Sequence, residues 1–130
     1  MERKQYDITV IGGGPGGYVA AIKASQAGKK VALIDKGNLG GTCLNVGCIP
    51  TKTLLANAHV LRMIRHAEDF GISVQGVSVD YAKMKARKDQ VVEKIRKSLT
   101  GLLTTNGISI IHGHAEFLSP REIKVKARII

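Results

Sequence analysis

Ile8-Thr9-Val10-Ile11-Gly12-Gly13-Gly14-Pro15-Gly16-Gly17 sets a β-branched run directly ahead of a glycine turn. A short apolar run bounded by glycines reads as a buried parallel strand. Working outward, Tyr18 to Gln26 is rich in Ala, Ile and Lys and reads as a helix closed by Gly28. Val31-Ala32-Leu33-Ile34 reads as a second buried strand, ending at Asp35. Together these make one βαβ unit of about thirty residues. The turn, Gly12 to Gly17, satisfies G-x-G-x-x-G, and a carboxylate, Asp35, stands eighteen residues beyond Gly17. Alone the pattern is weak. A strand before it, a helix after it and an acid at that distance make it a dinucleotide signature. Gly12 would permit the tight turn, Gly14 the approach of a pyrophosphate, and Gly17 close helix–strand packing. Pro15 and Gly16 complete the turn, whose helix-start N–H groups would face phosphates. Asp35 would accept hydrogen bonds from a ribose hydroxyl. The pattern does not separate FAD from NAD, and the acid argues against NADP. A purely structural glycine turn is the competing reading.

The chain has 130 residues, enough for one domain. Hydrophobic residues make up 44% and charged residues 23%, which excludes long disorder. No run of 18 apolar residues exists, so no membrane-spanning helix is expected. Twenty Lys plus Arg against ten Asp plus Glu give a net charge of +10. That balance could serve an anionic partner. With five aromatics and no Trp, base-stacking platforms are scarce, and nucleic-acid binding is not expected. Met1 to Asp7 lacks the apolar stretch of a secretory signal, and the first strand leaves no room for a transit peptide. The expected compartment is the cytoplasm.

Gly37 to Gly41 reads as a loop, and a helical pattern follows Pro50 to about Ala67, with Leu54, Leu55, Ala58 and Leu61 at helical spacing. Residues 68–80 read as irregular. Asp80 is a candidate cap for a helix over 80–105. Met84, Val91, Val92, Ile95, Leu99, Leu102 and Leu103 form its apolar stripe, and Lys83, Lys85, Arg87, Lys88, Lys94, Arg96 and Lys97 carry most of the excess charge. That basic face reads as solvated, its long stems covering apolar neighbours. Ile108 to Ile111 reads as a strand. Residues 116–118 and 123–130 read as a hairpin around Ser119-Pro120-Arg121-Glu122, with Ile123, Val125, Ala127 and Ile129 alternating against cations. The chain stops inside that apolar strand, which predicts a truncated domain.

Cys43 and Cys48 are five residues apart in Gly40-Gly41-Thr42-Cys43-Leu44-Asn45-Val46-Gly47-Cys48-Ile49-Pro50-Thr51-Lys52. In a regular helix such positions lie roughly 8 to 9 Å apart at Cα. A disulfide needs less than about 7 Å. A bridge therefore requires the backbone to leave helical geometry, and Gly47 offers flexibility there. Pro50 suits the first turn of the next helix, which puts Cys48 near a helix N-terminus. Half of a zinc site and two structural cysteines are the other readings. No second cysteine pair exists, and His59, His66, His112 and His114 lack zinc-finger spacing, so no metal is expected.

A dinucleotide turn followed closely by this cysteine stretch resembles the pyridine nucleotide–disulfide oxidoreductases. The resemblance rests on Ile11 to Gly17, on Gly40 to Lys52 and on the strand starting at Gly113-His114-Ala115, and it runs through the whole chain in order. Leu44, Ile49 and the helix over 80–105 tilt it toward the dihydrolipoyl dehydrogenase subfamily. Glutathione- or mercuric-reductase-like enzymes and a non-catalytic nucleotide-binding module remain the alternatives.

The resemblance implies an α/β, Rossmann-like FAD-binding domain, a parallel sheet plus a hairpin, incomplete at its C-terminus. It implies that Gly12, Gly14, Pro15, Gly16 and Gly17 meet the FAD pyrophosphate and Asp35 its ribose. Gly41 and Thr42 would lie along the cofactor, Ala115 at its adenine end and Lys52 near the flavin ring. Cys43 and Cys48 would be the redox-active disulfide. By the same resemblance Cys43 would exchange with lipoyl groups of 2-oxo acid dehydrogenase complexes, and Cys48 would make the charge-transfer contact with flavin. Electrons would leave to NAD. Asp35 stands where Glu is usual and Thr51 where Ser is usual. Family members continue into an Ala-Thr-Gly motif, for which Ile129-Ile130 matches the preceding strand. An NAD-binding domain and a dimerisation domain with a catalytic His–Glu pair follow. Residues 1–130 are thus expected to be a partial FAD-binding domain, inactive alone, from a homodimeric enzyme.

Overall fold

The computed structural model describes residues 3–126. A parallel sheet is built from β1 (Ile8–Ile11), β2 (Val31–Asp35) and β3 (Ser109–His112), in that order across the sheet. Ile8 pairs with Val31, and Ala32 with Ser109. β2 is the central strand, and Val31 to Ile34 are buried on both faces. A continuous apolar run suits such a position. β1 was expected to be equally buried, and it is not. Among the described residues it is an edge strand, with Ile8 39% and Ile11 47% exposed.

Helix α1 (Pro15–Gln26) joins β1 to β2 and packs on both. It begins three residues earlier than the sequence suggests. Pro15 takes the first helical position, where a missing N–H costs nothing and its φ is already helical. The turn is therefore Gly12 to Gly14, and Gly16 and Gly17 are helical.

The expected loop after β2 closes at Gly40. A short helix, α2 (Gly41–Asn45), follows it. Helix α3 (Cys48–Arg65) starts two residues before Pro50. Pro50 sits in its first turn, as the proline's chemistry allows. Its buried side is Pro50 and Thr53, with Leu54 and Leu61 half-buried, while Leu55 is 61% exposed and Ala58 is also exposed. A short 3-10 turn, Ala67–Phe70, leads into an irregular stretch that ends at Asp80.

Helix α4 (Tyr81–Thr105) is capped by Asp80, whose carboxylate accepts the Lys83 N–H at 3.0 Å. Its buried seam is narrower than the seven-residue stripe: Val92 and Leu103 are buried, Leu99 is half-buried, and Leu102 is 50% exposed. Lys88 and Arg96 lie on the seam's side of the helix, with side chains 20% and 28% exposed. Their side chains are thus largely covered, while their charges pair with Asp89 and Glu93. α4 packs against α3 and β3. Ala21, Val31, Leu33, Leu39, Leu103 and Ile108 form the core where α1, β2 and α4 meet.

An antiparallel hairpin, β4 (His114–Ser119) and β5 (Glu122–Lys126), completes the described fold. Ala127 to Ile130, the rest of the expected last strand, lie outside the described residues. Among the described residues no helix is long and apolar enough to cross a membrane.

Candidate functional site

The glycine turn is held from three sides. Gly12 has φ +102° and donates its N–H to the Ile34 carbonyl at 2.7 Å. Gly13 donates to the Asp35 carboxylate at 2.6 Å, and its carbonyl accepts the Gly40 N–H at 2.8 Å. The other Asp35 oxygen accepts the Gly37 N–H at 2.7 Å. Asp35 thus fastens the glycine turn to the loop after its own strand, a role the sequence reading missed. Each carboxylate oxygen keeps a further lone pair, so capacity for another donor remains.

Gly17 is needed for packing. A Cβ there would lie 1.7 Å from the Gly12 carbonyl oxygen. Gly14 and Gly41 meet backbone to backbone: a Cβ on Gly41, at φ +61°, would lie 2.8 Å from the Gly14 Cα. This contact docks α2, and the first cysteine with it, onto the start of α1. α1 has no capping side chain, and the N–H groups of Gly16 and Gly17 have no protein partner among the described residues. Such a helix start suits a phosphate.

Beside the turn lies a cleft of 230 Å³ lined by Ile11, Gly12, Ile34, Asp35, Lys36, Gly113, His114 and Ala115. It brings together three residues far apart in sequence: Gly12, Asp35 and Ala115. β3 and β4 position the last of these, and the Gly113 N–H donates to the Asp35 carbonyl at 2.9 Å. His112 and His114 are both exposed.

On the other side of the Gly14–Gly41 contact, Cys43 lies in α2 and Cys48 is the first residue of α3. Val46 and Gly47 break the helix between them, as a close approach requires. What Gly47 supplies is room rather than flexibility. A Cβ there would press within 3.0 Å of the Thr42 carbonyl oxygen and 3.3 Å of the Cys43 Cα. The two cysteines are free thiols, Cys43 half-buried and Cys48 exposed. Hydrogen bonding between the thiols pushes the Cys43 pKa up, and burial and the charge of Cys48 add to this. The Cys48 backbone N–H and the Lys52 ammonium act the other way. Lys52 and Thr42 are exposed.

The structure therefore gathers the expected residues into two neighbouring groups. Gly12, Asp35 and Ala115 line the cleft. Gly14 joins it to Gly41, after which come Thr42, Cys43, Cys48 and Lys52. Sequence reasoning passed over Asn45. Its amide donates to the carbonyls of Leu39 and Gly41 at 3.0 and 2.9 Å, tying both ends of α2. An asparagine at the end of a short helix was the available signal.

Comparison with known proteins places the chain in a family. Residues 6–130 match the family model described as pyridine nucleotide-disulphide oxidoreductase. A dihydrolipoyl dehydrogenase of Chlamydia trachomatis serovar D is 55% identical over 92% of the chain and 26% of its own length. That of Bacillus subtilis is 50% identical over the same shares. A leghemoglobin reductase of Vigna unguiculata is 50% identical over 92% of the chain and 23% of its own length. The chain spans about a quarter of the length of the curated relatives it matches. With the match covering the glycine turn, the acid at the end of β2 and both cysteines, the chain belongs to the pyridine nucleotide-disulphide oxidoreductase family.

Proposed function

We propose that residues 1–130 are the FAD-binding and redox-disulfide part of a dihydrolipoyl dehydrogenase. The observation that carries this reading is the helix break at Val46 and Gly47, which sets Cys48 beside Cys43 on a segment docked through Gly41 onto the glycine turn. The residues fit the cofactor. Backbone N–H groups at the start of α1 would take the pyrophosphate, Asp35 the ribose, and Ala115 the adenine end. Gly41 and Thr42 would lie along the chain of the cofactor, with Lys52 and Cys48 near the ring. FAD, when bound, supplies the two-electron acceptor that returns the dithiol to a disulfide, with NAD as the final acceptor at a site outside these residues.

The chain's own part is thiol–disulfide exchange. A thiolate of a dihydrolipoyl group attacks the Cys43 sulfur of the Cys43–Cys48 disulfide, and Cys48 leaves as a thiolate. The second dihydrolipoyl thiol then attacks the mixed disulfide. Its sulfur bonds to the first lipoyl sulfur, and Cys43 leaves. The lipoyl group is oxidised by two electrons, and the cysteine pair is reduced by two. Lys52 offsets the negative charge that develops on Cys43 as it leaves in the second step. The lipoyl groups would be those of 2-oxo acid dehydrogenase complexes, and the whole enzyme a cytoplasmic homodimer. The 50–55% identities to dihydrolipoyl dehydrogenases favour this substrate over glutathione or mercuric ion.

Flavin retention tests the reading. The purified chain is mixed with FAD, gel-filtered, and its visible spectrum recorded. A flavin band is expected to stay with the protein and to be lost in Gly14→Val. A folded chain with no flavin affinity would overturn the assignment of FAD to these residues. The chain alone is expected to reduce no NAD with dihydrolipoamide and FAD, because its NAD site lies elsewhere. Measurable turnover would refute that expectation.

A further inference from the structure

We infer that Asn45 is a positioning residue that sets the geometry of the Cys43–Cys48 pair, an inference that rests on the redox role proposed above. α2 spans five residues, too few to be stable by itself. Its orientation must come from what ties it down. The Asn45 amide nitrogen lies 2.9 Å from the Gly41 carbonyl oxygen, 3.0 Å from that of Leu39 and 3.4 Å from that of Asn38. All three neighbours are acceptors, so only the donor side of the amide can face them. One side chain at the end of α2 thus holds the residue that begins it and the loop that leads into it.

The consequence reaches both cysteines. Gly41, gripped by Asn45, is the residue that meets Gly14. Cys43 lies between Gly41 and Asn45. Val46, next after Asn45, donates to the Thr42 carbonyl at 3.0 Å, and the chain then turns at Gly47 into Cys48. With the amide in place, the two sulfurs are held near one another whether bonded or not. Without it, α2 keeps its Gly41–Gly14 contact and its buried Leu44 but loses the side-chain tie between its two ends, and the bonded state loses part of its advantage. The Asn45 Oδ1 is buried and has no partner among the described residues. A polar group left unpaired inside a protein costs free energy. The asparagine serves there through its donors, its own acceptor left unpaired.

The reaction that reads this out needs no flavin. The Cys43 and Cys48 thiols give up two hydrogens and form one S–S bond, while glutathione disulfide takes them up and is cleaved to two glutathione molecules. The whole chain is equilibrated at a series of glutathione ratios, trapped by alkylation and weighed by mass spectrometry. Circular dichroism follows folding. Asn45→Ala removes the amide, and Asn45→Leu removes its donors while keeping its shape. Asn106→Ala is the control. Its amide donates to the Leu102 carbonyl at 2.8 Å at the end of α4, the same local chemistry away from the cysteines.

Both Asn45 variants are expected to lower the equilibrium constant for disulfide formation at least tenfold, which is about 30 mV for a two-electron couple. Asn106→Ala is expected to lower the melting temperature and leave the constant alone. Folded Asn45 variants with the wild-type constant overturn the inference. So does failure of both to fold, which would make Asn45 a folding residue only. A wild-type chain that forms no Cys43–Cys48 disulfide at any ratio overturns the redox reading itself, and this inference with it.

Discussion

Helices α1 and α4 each hold a glycine in their interior, Gly17 and Gly101, and the two sit in opposite environments. A Cβ on Gly17 would collide with a backbone carbonyl oxygen at 1.7 Å, whereas a Cβ on Gly101 would meet nothing within 4 Å. The difference separates two ways of building this fold. Around the glycine turn, backbone packs on backbone: Gly17 on Gly12, and Gly41 on Gly14. Along α4, side chains do the packing, through Val92 and Leu103 and the stems of Lys88 and Arg96. The first construction has no room for an added atom at Gly17 or Gly41. The second is a seam with open surface around it.

The same substitution therefore changes sign between the two helices. Gly17→Ala is expected to destabilise the chain by about 3 kcal/mol or more, because backbone rather than a flexible side chain must give way. Flavin retention should disappear with it. Gly101→Ala is expected to stabilise by about 0.5–1 kcal/mol, since alanine restricts the unfolded chain and suits a helix interior. Thermal melts of the two variants read both effects. A Gly17→Ala chain that melts with the wild type would break the comparison. A loss of stability in Gly101→Ala would show that α4 is packed there after all.

The comparison also explains what the sequence made legible. Where a position demands glycine for lack of space, the residue type announces the geometry. Gly17, which has no room for a Cβ, and Gly12 and Gly28, which stand at positive φ, together with Asp35 made β1, β2 and all of α1 but its first three residues legible. Chemical punctuation did the same at Asp80, which caps α4, and at Pro50 in the first turn of α3. What was not legible depended on partners distant in the chain. Ile8 and Ile11 have a core strand's composition, yet β1 lies at the sheet edge. Leu55 and Ile95 fit helical periods, yet only contact with a neighbouring helix decides which side of a period is buried. Within the site, the cysteine spacing required a broken helix and the structure has one. The carboxylate of Asp35 was read for a ligand alone, although its nearest donors are the N–H groups of Gly13 and Gly37.

The smallest expected effect is one that stability measurements would miss. The Cys43 pKa is raised, first by its hydrogen bond with the Cys48 thiol, then by burial and by the charge of Cys48. The folded chain thus favours the neutral thiol more than the unfolded chain does. That contribution is fully present below the ordinary thiol range, and it is lost as pH rises through the raised value. Cys43 is partly exposed, so the stability change is slight and the titration itself is the better probe. In the reduced chain, the rate of Cys43 alkylation by iodoacetamide should rise with pH to a midpoint above that of a free cysteine. Cys48→Ala removes the leading cause and should lower the midpoint. Lys52→Gln removes an opposing charge and should raise it. If Cys48→Ala left the midpoint where it was, the two thiols would not be in contact. The break that Val46 and Gly47 make between α2 and α3 would then bring the cysteines near each other without coupling them.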